Sequence, residues 1–150
     1  MQIIALCRKQ SEKYRPAMNK LCPCGSNLSY HKCCEMIINT KKEADTCEEL
    51  MRSRYTAFTT ANVEYLVRSH HTKTRQLWEI RNIKNWAESV QWMRLVILNT
   101  QAGEVNDKMG YVEFRALYIE EGQMQQIHEK SLFERENRKW VYVSGVHFQE

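Results

Sequence analysis

Four of the chain's six cysteines fall in the thirteen residues from Cys22 to Cys34, within the stretch "KLCPCGSNLSYHKCC". A segment this short cannot build a hydrophobic core, so whatever orders it must act through those thiols. Cys22 and Cys24 flank Pro23, Gly25 and Ser26 allow a tight turn, and Cys33 and Cys34 return after eight intervening residues. Adjacent cysteines bond to each other only in a strained ring, and buried free thiols do not cluster in a segment rich in Gly, Ser, Lys and His. The spacing therefore predicts a metal site built from Cys22, Cys24, Cys33 and Cys34, with zinc as the ion suited to four thiolates. His31 is read as a surface residue. Four protein ligands leave no open coordination position, so the expected Zn2+ is structural and not catalytic.

The remainder of the chain can support one ordinary domain. It has 150 residues, 43% hydrophobic and 27% charged, with five Gly and two Pro. That composition describes a globular protein. The net charge of +4 is spread along the chain, with acidic residues among the basic ones, so nucleic acid is not an expected partner. The opening "MQIIALCRKQ" is too short in its apolar run, and wrongly flanked, for a signal peptide. No segment approaches the roughly 18 apolar residues that would span a bilayer. A cytoplasmic protein is expected, in a compartment where clustered cysteines bind metal more readily than they pair.

Residues 1–19 are polar, lack periodicity and read as a lead-in segment; 20–36 hold the cysteine motif. "EMIINTKKEADT" reads as a charged connector. Thr46 with Glu49 forms a capping-box pattern that starts a helix at about 47–58. Further helices are expected in "NVEYLVRSH" and in "RQLWEIRNIKNWAESV", where Leu77, Ile80, Ile83 and Ala87 can share a face. From Val90 the texture changes to β-branched and aromatic residues, in four runs beginning "VQWMRLVILNT" and ending "RKWVYVSGVHF", with hairpin turns at "EEGQ" and "ENRK". Helices followed by antiparallel strands predict an α+β domain over 45–148.

The spelling "CPCGSNLSYHKCC" resembles the SEC-C motif: Cys-x-Cys, eight residues, then Cys-Cys or Cys-His, with the "PCGS" core and Tyr30 and Lys32 at familiar positions. Asn27 and Glu35 stand where that motif often has Gly. Together with "LMRSRYTAF", "YLVRSHHTKTR", "VEFRALY" and "HEKSLFERENRKWVYVSG", the motif makes residues 20–146 similar to the YchJ family. The resemblance implies a cone-shaped, nuclear transport factor two-like domain in which a curved antiparallel sheet wraps around helices. It further implies a protein-docking role for the knuckle, with a translocation or ribosome-associated partner, and a homodimer through the sheet as in similar folds. Family members often read Trp-His-Pro where this chain has His70, His71 and Thr72.

If the cone holds a site, the helix at 47–58 points to it. Leu50, Arg54 and Phe58 recur at i, i+4, i+8, which sets Arg54 on the apolar face, and a buried guanidinium needs a partner. Strand parity places Ile127, Glu129, Ser131 and Phe133 on one face and Glu113 with Arg115 on the other. One reading is a structural Arg54–Glu129 ion pair. The other is a small-molecule pocket that includes Arg54, Tyr55, His71, Trp92, Glu129, Ser131, Trp140 and Tyr142, with Arg54 on an anionic group. His71 and His128 are candidate acid–base groups, but no nucleophilic triad is present and an adaptor is expected over an enzyme. Cys7 and Cys47 read as incidental thiols.

Overall fold

The chain before Cys47 is extended at Thr46 (φ −128°, ψ 160°), whose Oγ1 accepts from the Glu49 N–H at 3.2 Å and so begins helix α2, Cys47–Thr59. Glu48 and Glu49 lie in its first turn, where the helix dipole favours carboxylates. The computed structural model describes residues 20–149. The lead-in at 1–19, with Cys7, lies outside the described residues. Ahead of α2, helix α1 (Cys34–Ile38) occupies the first part of the expected connector. Helix α3 (Val63–Arg68) is capped by Asn62, whose Oδ1 accepts from the Tyr65 N–H at 3.0 Å. A 3-10 turn, Leu77–Glu79, leads into α4 (Ile80–Ser89). Leu77 therefore precedes α4 instead of sharing its face, and stands exposed beside Trp78.

Strands β1 (Gln91–Ala102), β2 (Met109–Glu120), β3 (Gln123–Glu136) and β4 (Lys139–His147) form one antiparallel sheet in chain order. The expected hairpin turns are present. Glu121–Gly122 (φ 50° and 76°) and Asn137–Arg138 (φ 51° and 69°) are two-residue connections with both central residues left-handed, the geometry whose twist matches that of the flanking strands. Irregularities in β1 at Trp92/Arg94 and Ile97/Asn99 bend that strand. One face of the resulting curved sheet packs on α2.

That packing joins Leu50, Met51 and Tyr55 of α2 to Leu95, Val112, Phe114 and Phe133 of the sheet. A second apolar cluster lies on another side of α2, where Ala57 meets Cys22, Cys24, Cys34, Ile38, Tyr65 and Leu66. Helix α2 is thus a middle layer, buried by the sheet and by the cysteine segment with α3. This is why Ser53 and Thr56, small polar residues outside its expected apolar face, are fully buried together with Ala57. Cys47 is buried too. Its N–H donates to the Gly103 carbonyl at 2.9 Å, and a Cβ on Gly103 (φ +79°) would lie 2.0 Å from the Cys47 sulfur. The start of α2 docks on the β1–β2 connection because that residue is glycine. Among the described residues no helix is long and apolar enough to cross a membrane.

Because the Thr46 cap sets the entry to this middle helix, Thr46→Ala is expected to lower stability by about 1 kcal/mol, and Thr46→Ser to restore most of it, in denaturant melts.

Candidate metal centre and cone cavity

The cysteine segment folds back on itself before it meets α2. The Cys22 N–H donates to the Leu28 carbonyl at 2.8 Å and the Tyr30 N–H to the Lys20 carbonyl at 2.9 Å, closing a small ribbon. Its bend uses Gly25 (φ +80°) and Asn27 (φ 65°) in the left-handed region. The ribbon brings Cys22 and Cys24 to Cys33 and Cys34 at the start of α1. All four sulfurs lie within 4.8 Å of one another. Four sulfurs about 2.3 Å from a central ion stand roughly 3.8 Å apart. The Cys24–Cys33 and Cys33–Cys34 sulfur separations are 3.6 and 3.9 Å. The donor set is therefore compatible with a metal ion in chemistry and in spacing.

The electrostatics agree with that fit. Hydrogen bonds from the thiols of Cys22 and Cys34 hold Cys24 far below the ordinary thiol range. Cys34 is driven far up, chiefly by its contacts with Cys22 and Cys24, and burial pushes Cys33 up to about 11. One thiolate forms easily among four crowded sulfurs, and further ionisation is resisted until a cation balances it. The cluster is fastened to α2 by Arg52, whose Nη1 donates to the Cys24 carbonyl at 2.7 Å while Nη2 pairs with Glu48 at 2.9 Å. On the same helix, the Thr56 hydroxyl lies 3.8 Å from the Cys22 sulfur. His31 is exposed and pairs with Glu35.

Between α2 and the sheet lies a cavity of about 230 Å³, lined by Met51, Arg54, Phe58, His70, Ile83, Phe114, Glu129, Ser131 and Tyr142. Arg54, Glu129, Ser131 and Tyr142 are thus brought together, but not by the expected direct ion pair. Arg54 Nη1 donates to the Leu66 carbonyl at 2.8 Å and to Ser69 Oγ at 2.6 Å. The guanidinium carbon sits 4.7 Å from the centre of the Tyr142 ring. The Tyr142 hydroxyl in turn donates to Glu129 Oε1 at 3.1 Å, and Ser131 Oγ donates to the same oxygen at 2.6 Å. Tyr142 stands between the two charges, so the Leu66 carbonyl of α3 and the Ser69 hydroxyl just after it, not Glu129, take the hydrogen bonds of Arg54 Nη1. Burial lowers the Arg54 pKa to about 10, which leaves it charged at neutral pH.

The other expected pocket residues lie elsewhere. Tyr55 and Trp92 meet edge to face at 5.8 Å in an aromatic cluster with Phe58, Trp86 and Tyr118. Trp140 stacks under Arg135 at 4.3 Å and donates Nε1–H to the Asp45 carbonyl at 3.0 Å. Parity puts Trp140 and Tyr142 on one face, but register decides which end of the sheet each occupies. Trp92 pairs with Tyr118 and onward to Gln125, whereas Trp140 pairs with Arg135, close to where β2 begins. Trp92 and Trp140 therefore line no common cavity. His128 lies on the outer face, 2.7 Å from Glu113 Oε1, where it cannot act in the cone.

Of the adjacent histidines, His70 and not His71 faces the cavity. His70 bridges to Tyr142 in strand-like fashion, and successive side chains of an extended segment point to opposite sides. The His70 ring meets Tyr142 edge-on at 5.0 Å, while the His71 ring turns out toward Glu136 at 3.4 Å. Burial, and then the charge of Arg54, push the His70 pKa down to about 4, so it is neutral at pH 7. Two neighbouring histidines in sequence carry no signal of which turns inward. Phe114 shares parity with Val112 and was legible as an inward residue, but Met51 and Ile83 were not legible as cavity walls.

Comparison with known proteins agrees with this architecture. Residues 46–145 match the model for the YchJ middle NTF2-like domain, and residues 18–35 match the SEC-C motif. A UPF0225 protein of Geobacter sulfurreducens is 40% identical over 85% of this chain and 80% of its own length. The UPF0225 protein YchJ of Shigella dysenteriae is 33% identical over 86% of this chain and 84% of its own. The solution structure of a SEC-C motif containing protein from Rhodopseudomonas palustris superposes with a TM-score of 0.77 at 29% identity, covering 85% of this chain and 98% of that one. A crystal structure of a SEC-C motif containing protein from Psychrobacter arcticus gives 0.71 at 27% identity, covering 86% and 83%. Carrying a SEC-C motif ahead of that NTF2-like domain, the chain belongs to the YchJ (UPF0225) family.

Proposed function

We propose that this chain is a zinc-stapled small-molecule-binding protein, in which Zn2+ on Cys22, Cys24, Cys33 and Cys34 is structural and the cone cavity holds a small anionic ligand on Arg54. One observation carries the ligand reading. The Arg54 side chain is only 7% exposed, and both of its hydrogen bonds leave from Nη1. Among the described residues, Nε and Nη2 have no hydrogen-bond partner, although Arg54 lines the cavity. A guanidinium fork with three N–H groups uncommitted beside a cavity suits the two oxygens of a carboxylate or phosphate. The volume, below the 300–1,000 Å³ of drug-sized sites, implies a small ligand.

The metal's role follows from its surroundings. With four ligands and no open position it would supply no chemistry to a substrate, but it would order the ribbon that covers Ser53, Thr56 and Ala57. Unpaired thiols in such a site suit the reducing cytoplasm. A second reading, protein docking through the knuckle, is favoured by Leu21 and Leu28, which stand 59% and 53% exposed on the ribbon between the exposed Lys20 and Lys32. The SEC-C resemblance makes a translocation or ribosome-associated partner the natural choice for that surface.

Three measurements separate these readings. Elemental analysis is expected to find about one zinc per chain, lost in Cys22→Ser with Cys24→Ser; unchanged zinc content in that variant would show the metal assignment to be wrong. In thermal-shift and calorimetric titrations, acetate, propionate or inorganic phosphate should bind at least tenfold more weakly to Arg54→Lys than to the unaltered chain, because lysine keeps the charge but not the fork. Equal binding by the two proteins removes the cavity reading. For the docking reading, co-sedimentation with purified ribosomes should be abolished by Leu21→Ser with Leu28→Ser, and co-sedimentation indifferent to that change would exclude the ribbon as the contact.

A further inference from the structure

The anion-binding reading leaves Glu129 unexplained. This carboxylate is 7% exposed and lines the same cavity as Arg54. Its Oε1 accepts from two neutral hydroxyls, those of Ser131 and Tyr142. The nearest basic group is His147, with Nε2 3.4 Å from Oε2, which is 64% exposed and charged only when protonated. The sheet also makes room for the carboxylate, since a Cβ on Gly145 would lie 1.8 Å from Oε1. The cavity therefore holds a buried cation and a buried anion that do not touch each other, separated by the Tyr142 ring and flanked by the apolar Met51, Phe58, Ile83 and Phe114.

Neither of these two buried charges has a permanently charged group in direct contact, and each offsets the other only from across the Tyr142 ring. A plain anion on Arg54 would bring negative charge toward Glu129. A plain cation on Glu129 would be opposed by Arg54, and the neutral His70 offsets neither. We infer that the cavity takes a small zwitterion, a carboxylate on Arg54 and a primary ammonium on Glu129, with the ligand's carbon skeleton against the apolar wall. The inference rests on the anion-binding reading and adds the second charge. It assigns Glu129 as a specificity-determining residue, held in place by Ser131, Tyr142 and the gap at Gly145.

The test is calorimetry on the zinc-loaded full chain with matched pairs of probes: alanine and β-alanine against propionate, and γ-aminobutyrate against butyrate, with butylamine as the cationic control. At least one amino acid is expected to bind tenfold or more tighter than the carboxylate of the same skeleton. That difference should collapse in Glu129→Gln, a near-isosteric change whose fold is checked by circular dichroism, while carboxylate binding is kept or improved. Carboxylates that bind the unaltered chain as tightly as their amino acids, or a difference that survives in Glu129→Gln, overturn the zwitterion and leave the Arg54 anion site standing. Binding of none of these probes, nor of inorganic phosphate, overturns both.

Discussion

Helix α2 is covered on two sides at once, and most of the architecture depends on how that cover is held. Ser53, Thr56 and Ala57 present so little side chain that the cysteine ribbon and α3 can lie directly on the helix. Nothing in a ribbon of this length would keep it there by hydrophobic burial alone. A closed cluster of four sulfurs, tied to the helix through Arg52 and the Cys24 carbonyl, supplies the missing constraint. A segment ordered through such a cluster can in this way act as one wall of a domain's core.

The opposite side of the same helix shapes the cavity. Met51 and Arg54 point from α2 toward the sheet, where Phe114, Glu129 and Tyr142 meet them. Arg54 is anchored through Nη1 by the Leu66 carbonyl of α3 and by Ser69, so its position depends on α3 being seated, and α3 is seated in the same apolar cluster as the cysteines. The cysteine cluster and the cavity are thus neighbours through one helix, without sharing a residue. A direct Arg54–Glu129 pair would have closed the space between them. The tyrosine that separates the charges keeps both near the void.

Much of this was legible in the residues before any coordinates. The thiol spacing marked the cysteine cluster, Thr46 with Glu49 marked the start of α2, and the "EEGQ" and "ENRK" turns marked two hairpins, because each of these signals is local and depends on neighbours within a few positions. Strand alternation correctly put Glu129, Ser131 and Phe133 on one face and Glu113 on the other. Helical spacing likewise put Arg54 in the interior.

Tertiary structure decided what local period cannot express. Parity names a face and not an end, so Trp92 and Trp140 could be assigned to one cavity although the register sets them in different parts of the sheet. Adjacent His70 and His71 are equivalent as letters, and only the bridge to Tyr142 turns the first inward. The second cover on α2 was invisible because Ser53 and Thr56 look like a solvated face until another segment is laid on them. By itself, the sequence determined the four clustered cysteines, the α+β order and a buried arginine in search of a partner. Which groups would satisfy that arginine, and that a void would remain beside it, depended on distances between residues 12 to 88 positions apart, set by packing and not by any pattern along the chain.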